Sequence, residues 1–358
     1  MDVVALGAST VLGTWGFGIL QKILLECKGV LEVVESSEPL SADEKRDGTN
    51  RLLISRNPKQ ALFELLLTDT LPVIAFIDHP VDSIRSVKQL NDCGTVEAIR
   101  SVTETAAAAR TLERSRRILV VDRDFGGGDA RRVVAGMAAY LLGYYEGHGL
   151  EEFLAREDVA ASAEDSVPME LELRNQVPHY LPAEESRRKL SAEDIETIQS
   201  TLGEMTIWPG RAVSTRWPRT VFLQGDEPSV PTGAITEVAG VARALYYGPY
   251  FYLPASRYKV RVTLGFSADT AHTTFTLTGW DGELLGSARV KPTAAGIFVA
   301  TFDIDVPRPY RPVELRISND VTAIEGKIAL VEVELVEWAI DAERERQPAL
   351  PGEKRTVP

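Results

Sequence analysis

The sequence predicts two domains of different class: an α/β domain over residues 1–150 and an antiparallel β-sandwich over 211–340. Three observations predict this. At 358 residues the chain is longer than one ordinary hydrophobic core supports. In its first half, apolar runs without alternation stand between stretches of helical period, the pattern of a parallel sheet covered on both faces. From about residue 211, apolar and polar residues alternate instead, as in half-buried strands.

The elements follow in order. Asp2–Leu6 (DVVAL) starts a buried strand, and Gly7–Gly13 forms a loop. Thr14–Lys28 has helical spacing, with Trp15, Ile19, Leu20, Ile23 and Leu24 on one side, Thr14 as its cap and Gly29 as its stop. Asn57-Pro58 reads as a cap followed by proline at the first position of a second helix. Pro72–Asp78 (PVIAFID) is the clearest buried strand, followed by His79-Pro80 and a helix through Leu90. An alanine-rich helix over Thr95–Arg114, a strand over Ile118–Asp122 and a loop at Gly126–Gly128 come next. Asp129 then caps a helix over Ala130–Tyr145.

Residues 151–210 read as a helical connector, with helices over Leu150–Ala155 and Ala192–Met205 and a capping pair at Ser191 and Asp194. Beyond it, Tyr258, Val260, Val262, Leu264 and Phe266 alternate with polar residues or glycine. Phe275 and Leu277 do the same, as do Phe298, Ala300, Phe302 and Ile304, and in part Leu330 to Val336. Turn signals at Asp281-Gly282, Lys291-Pro292, Pro307–Pro309 and Ser318–Asp320 separate the runs, so a sandwich of jelly-roll type is expected. Residues 341–358 are charged and proline-containing and read as a disordered tail.

The net charge of −13 argues against nucleic acid as a partner, because phosphate-backbone binding needs clustered cations. It suits a neutral partner such as a sugar. Two cysteines, Cys27 and Cys93, make neither a disulfide framework nor a zinc cluster. No run reaches the roughly 18 apolar residues that span a bilayer, so no membrane insertion is expected. Met1–Leu20 has no basic start and carries four glycines, so synthesis in the cytoplasm without a signal peptide is expected. Asp122, Asp124 and Asp129 have the oxygen chemistry of a magnesium site, set against loop and capping roles. His148 and His179 stand isolated.

Three blocks over 1–150 resemble the sulfotransferase family. The first is Val4–Leu20, with its Gly13-Thr14-Trp15 step; the second is Ile77–Ser86 (IDHPVDSIRS), where Pro80, Asp82 and Ser86 fall in register. The third is Leu119–Leu142, with Asp124 in the acidic position. The resemblance implies a P-loop-like parallel sheet and a 3′-phosphoadenylyl sulfate donor held by Gly7, Gly13, Thr14, Trp15 and Ser86. The chain departs from that pattern in charge. Gly7–Gly13 carries no Lys or Arg, and Asp78 stands where the family has an arginine. Transfer of an anionic group depends on such cations, so a degenerate site with no cofactor is expected. An active transferase remains the alternative if a cation from elsewhere, such as Arg51, Arg56 or Arg123, folds over the loop.

Tyr246–Val260 (YYGPYFYLPASRYKV) is similar to a segment of sandwich modules attached to bacterial polysaccharide-handling proteins, and the likeness covers about 235–338. It implies carbohydrate binding. Aromatic side chains match the apolar faces of sugar rings, which makes Tyr246, Tyr247, Tyr250, Tyr252, Trp280 and Asp281 the candidates, with core packing as the competing role of the tyrosines. The expected function is glycan binding in a bacterial surface or particle assembly. The alternatives are a transferase acting on a polysaccharide and a structural subunit, in a homo-oligomer or larger assembly, that uses its sandwich for protein contacts.

Overall fold

A computed structural model describes residues 2–26, 30–39, 49–145, 148–162, 166–177, 180, 190–203, 212–225 and 227–338. The expectations for Cys27, for His179 and for 341–358 concern residues outside these ranges.

The first half is a five-stranded parallel sheet in the order β2-β3-β1-β4-β5. Its strands are β1 (Asp2–Gly7), β2 (Val30–Glu35), β3 (Thr49–Ser55), β4 (Val73–Phe76) and β5 (Leu119–Val121). Alternate residues serve opposite faces. Val3, Ala5, Leu52, Ile54, Ile74 and Phe76 face one core, with helices α1 (Val11–Glu26) and α5 (Ala130–Leu142). Val4, Leu6, Leu53, Val73 and Ala75 face the other, with α2 (Gln60–Leu67) and α4 (Thr95–Ser115). Burial on both sides is why these strands read as unbroken apolar runs.

Two helix starts differ from expectation. The first helix begins at Val11, not Thr14. Thr10 is its cap, because its Oγ1 accepts the Gly13 N–H at 3.0 Å and its carbonyl accepts the Thr14 N–H at 2.9 Å. Thr14 lies exposed one turn inside. The second helix begins at Gln60, not Pro58. The Lys59 N–H is held by the Ser37 carbonyl, and its carbonyl opens the helical ladder to Phe63. Asp129 caps α5 as expected, accepting from Arg131 and Arg132.

Helices α6 (His148–Ser162) and α7 (Met169–Gln176) bring Leu150, Phe153, Met169 and Leu173 to the α1–α5 core. Helix α8 (Ala192–Leu202) has the expected capping box of Ser191 and Asp194. Its Ile198 and Leu202 lie in one continuous cluster with Val81, Ile84 and Val87 of α3 (Pro80–Asn91), Ile99 and Val102 of α4, and the sandwich residues Trp217, Phe222 and Phe251. The two halves therefore share a hydrophobic core.

The second half is a sandwich of antiparallel sheets. With β6 (Ser214–Pro218), β7 (Leu223–Gln224), β8 (Glu227–Pro231) and β9 (Thr236–Glu237), one sheet runs β13-β12-β15-β10-β7-β8 and the other β14-β11-β16-β6, with β9 paired to β16. The strands that carry the candidate site are β10 (Ala244–Phe251), β12 (Phe275–Trp280), β13 (Leu284–Val290) and β15 (Val313–Asn319). The facing sheet is built on β11 (Ser256–Phe266), whose five expected inward residues are all buried. Its neighbour β16 (Lys327–Glu337) changes parity at a bulge: Leu264 pairs with Leu330 but Thr263 pairs with Glu332. Ile328 and Leu330 point inward before it, Val333 and Leu335 after it, which is why alternation there is only partial. In β14 (Gly296–Val306) the alternation buries Phe302 and Ile304 but leaves Phe298 exposed at the open end of the edge strand.

Candidate functional site

The outer face of the six-stranded sheet collects aromatic and charged side chains on one stripe. Its register sets Tyr247 opposite Arg316 and Arg316 opposite Thr278, while Pro249, Glu314 and Trp280 align two positions further along, on the same face. Tyr247 and Tyr250 meet edge to face at 6.3 Å. The Arg316 guanidinium lies over the Trp280 ring at 5.6 Å and pairs with Glu314 through two contacts of 2.7 and 2.8 Å. Arg100, from α4 of the other half, sits over the Tyr250 ring at 5.5 Å and donates to the Pro249 carbonyl at 2.8 Å. Tyr247, Tyr250 and Trp280 are half-buried, and Arg316 is exposed.

Tyr250 has φ of +66°. A non-glycine residue in that region costs on the order of 1 kcal/mol or more and persists only where its surroundings hold it. Here the hold is visible. The Tyr250 hydroxyl is hydrogen-bonded to Glu314, and its pKa is pushed up to about 12 by partial burial first and the Glu314 charge second. It therefore stays a proton donor.

The six sandwich residues singled out from the sequence do not converge. Tyr247, Tyr250 and Trp280 share the stripe. Tyr246 points the opposite way, fully buried, its hydroxyl donating to the Ile328 carbonyl at 2.9 Å. Tyr252 does not share a strand face with Tyr250, because β10 ends at Phe251; its N–H is taken by Thr103 and its hydroxyl meets Glu104. Asp281 is buried under Arg308, which holds it through two nitrogens at 2.9 and 2.5 Å. Glu314, Arg316 and Arg100 were not foreseen. The polar alternation Glu314-Arg316-Ser318 in β15 carried a period-two signal for the first two, whereas nothing local marks Arg100.

In the N-terminal half, Gly7 ends β1, where a Cβ would come within 3.0 Å of Phe17. Trp15 is buried in the α1–α5 core and does not face the loop. Arg56 reaches the loop, its Nη1 donating to Ser9 Oγ at 2.5 Å while Glu35 holds its Nε at 2.6 Å. Arg51 is paired with Asp2 at 2.8 Å. Asp78 is buried beneath the loop. Its Oδ2 accepts the Leu12 N–H at 3.1 Å, and its Oδ1 accepts Arg123 Nε at 2.6 Å. The first turn of α1 thus already holds an anion, supplied by the chain itself. Asp122 accepts the N–H groups of Asp124 and Phe125, and Asp129 those of Arg131 and Arg132. Among the described residues no His, Cys, Asp and Glu grouping is arranged to hold a metal ion, and no helix is long and apolar enough to cross a membrane.

No family model matches the chain, and no curated protein matches it. Among solved structures, TmCBM61 in complex with β-1,4-galactotriose is similar at 10% identity, over 39% of this chain and 96% of that one, with a TM-score of 0.25. The xylan-binding module CBM15 is similar at 13% identity, over 36% and 97%, with a TM-score of 0.26. The C-terminal domain of the sugar-binding protein EclA is similar at 12% identity, over 36% and 81%, with a TM-score of 0.21.

Proposed function

We propose that this protein binds a saccharide on the outer face of its six-stranded sheet, in the role of a glycan-binding protein of a bacterial surface or particle assembly. The observation that carries the reading is the stripe of Tyr247, Tyr250 and Trp280 with the Glu314–Arg316 pair. Rings offer flat apolar area to the C–H faces of a sugar, and the ion pair and phenol hydroxyls offer donors and acceptors to its hydroxyls. The φ of Tyr250 supports the reading, since backbone strain concentrates at ligand sites. The α/β half then serves as a scaffold.

The test is a glycan array probed with the full chain, followed by titration of each hit. Trp280→Ala and Tyr247→Ala each weaken binding by about tenfold or more, as expected for aromatic anchors at the centre of a site, while circular dichroism stays that of the wild type. An array on which the wild type binds nothing, or variants that bind as it does, removes the reading.

A second reading, a transferase using 3′-phosphoadenylyl sulfate, is favoured by one observation: Arg56 reaches Ser9. It is opposed by Asp78 at the Leu12 N–H. Binding of adenosine 3′,5′-bisphosphate separates the two readings.

A further inference from the structure

A cavity of about 210 Å³ opens between α1 and α3, lined by Thr10, Val11, Thr14, Arg85, Ser86 and Leu90 among others. It lies in the half opposite the saccharide stripe and plays no part in that reading.

Two of its polar side chains are buried and carry polar atoms that no hydrogen bond satisfies among the described residues. Arg85 is 5% exposed and Ser86 is 8% exposed. Neither Nε nor Nη1 of Arg85 has a hydrogen-bond partner among the described residues, nor has Ser86 Oγ. Burial lowers the pKa of Arg85, offset in part by the charge of Asp82. The nearby carboxylates are already engaged. Arg123 holds Asp78 at 2.6 Å and Asp82 at 3.2 Å. A guanidinium presents five donors in a rigid fork, and leaving those on Nε and Nη1 unmade in a buried position is costly. Such an arrangement is the expected state of a site whose acceptor arrives from outside.

The first turn of α1 contributes side chains here, not free amides, because Asp78 takes the Leu12 N–H and Thr10 takes the Gly13 N–H. The volume falls short of the roughly 300 Å³ at which pockets for drug-sized ligands begin. Val11 and Leu90 supply an apolar wall.

We infer that this cavity binds a small organic oxyanion, a carboxylate or a phosphate monoester with a short apolar body, gripped by the fork of Arg85 and by Ser86, with Val11 and Leu90 covering its carbon end. A carboxylate and a phosphate present the same pair of acceptor oxygens to a guanidinium, so the ligand class is set by oxyanion and size together.

The test uses the full chain with benzoate, phenyl phosphate, inorganic sulfate and adenosine 3′,5′-bisphosphate as probes, read by calorimetry and by Tm. Benzoate or phenyl phosphate, whichever has the matching head, raises Tm with concentration and binds more tightly than sulfate. Arg85→Met weakens that binding roughly 10- to 100-fold, the worth of a charged hydrogen bond. The unliganded variant has a Tm equal to or above that of the wild type, since a buried guanidinium with two unsatisfied nitrogens is removed. Arg85→Lys restores part of the binding. Absence of any probe-induced heat or Tm shift overturns the proposal. So does a variant that keeps wild-type affinity, or one whose unliganded Tm falls, which would make Arg85 a structural residue. Tighter binding of the nucleotide than of either small acid overturns the size limit.

Discussion

Gly16 shows how much a single side chain decides in the α/β half. A Cβ there would lie 2.1 Å from the Phe76 ring, inside any allowed contact. The missing side chain lets α1 lie directly on β4. Gly16→Ala is therefore expected to destabilise the protein by roughly 1–3 kcal/mol, the usual cost of forcing a methyl into a filled core, measured as a shift of the urea midpoint at unchanged m. Unchanged stability would show that α1 can lift off β4 without loss. The same scale explains which candidate residues were legible. Trp280 was, because it precedes the Asp281-Gly282 turn and so ends a strand near the surface. Tyr246 and Tyr247 were indistinguishable by type, since neighbouring residues in a strand face opposite ways and only the sheet decides which face is the core. Trp15 looked like part of a phosphate loop because it follows Gly13-Thr14, yet the helix had already begun at Val11 and its turn carries the indole inward.

Helices α5 and α8, each with a capping side chain directly before the apolar run, begin where the sequence places them, at Ala130 after Asp129 and at Ala192 after Ser191. Asp129 stands before an apolar-periodic run and accepts the Arg131 and Arg132 N–H groups at 2.8 and 3.3 Å. Its replacement by Ala should cost about 1 kcal/mol, read as a drop in urea midpoint, with Asp129→Ser recovering most of it; equal loss in both variants would point to a role other than capping. The start of α2 was misread because the proline after Asn57 looked like a first helical position, while the Lys59 contact to Ser37 across the loop sets the real one. Strands β2 and β3 escaped notice for different reasons. Strand β2 lies at the sheet edge with most of its side chains exposed. Strand β3 opens with Thr49, Asn50 and Arg51, which are buried and polar. Their partners lie far away in sequence, as with Arg51 and Asp2, and no local pattern announces them.

Across the whole molecule, the two halves meet through a continuous apolar cluster and a set of polar links. Arg114 reaches Glu337, Thr111 accepts the Ala255 N–H at 2.9 Å, and Glu104 meets both Lys59 and Tyr252. Glu104 titrates above the ordinary carboxylate range because it is buried, with Lys59 opposing the shift. The folded state therefore keeps this proton to higher pH than the unfolded chain does. The associated stability is complete below the unfolded pKa and is lost as pH rises through the folded one. Glu104→Gln, which keeps the acceptor for Tyr252 and removes the charge, should gain on the wild type in Tm as pH goes from 4 to 7; a difference independent of pH would exclude Glu104 as the titrating group. The division into two classes of fold was readable from the change of period near residue 211, but the shared core was not, because periodicity reports that a face is buried and not what covers it. The position of Arg100 over Tyr250 takes this one step further. Residues 212–338 transplanted onto another carrier would bring every strand of the stripe and leave one of its walls behind. On the proposed saccharide reading, substitutions in α4 would tune what the stripe recognises, and moving the sandwich between genes would change its specificity even where its own sequence is kept.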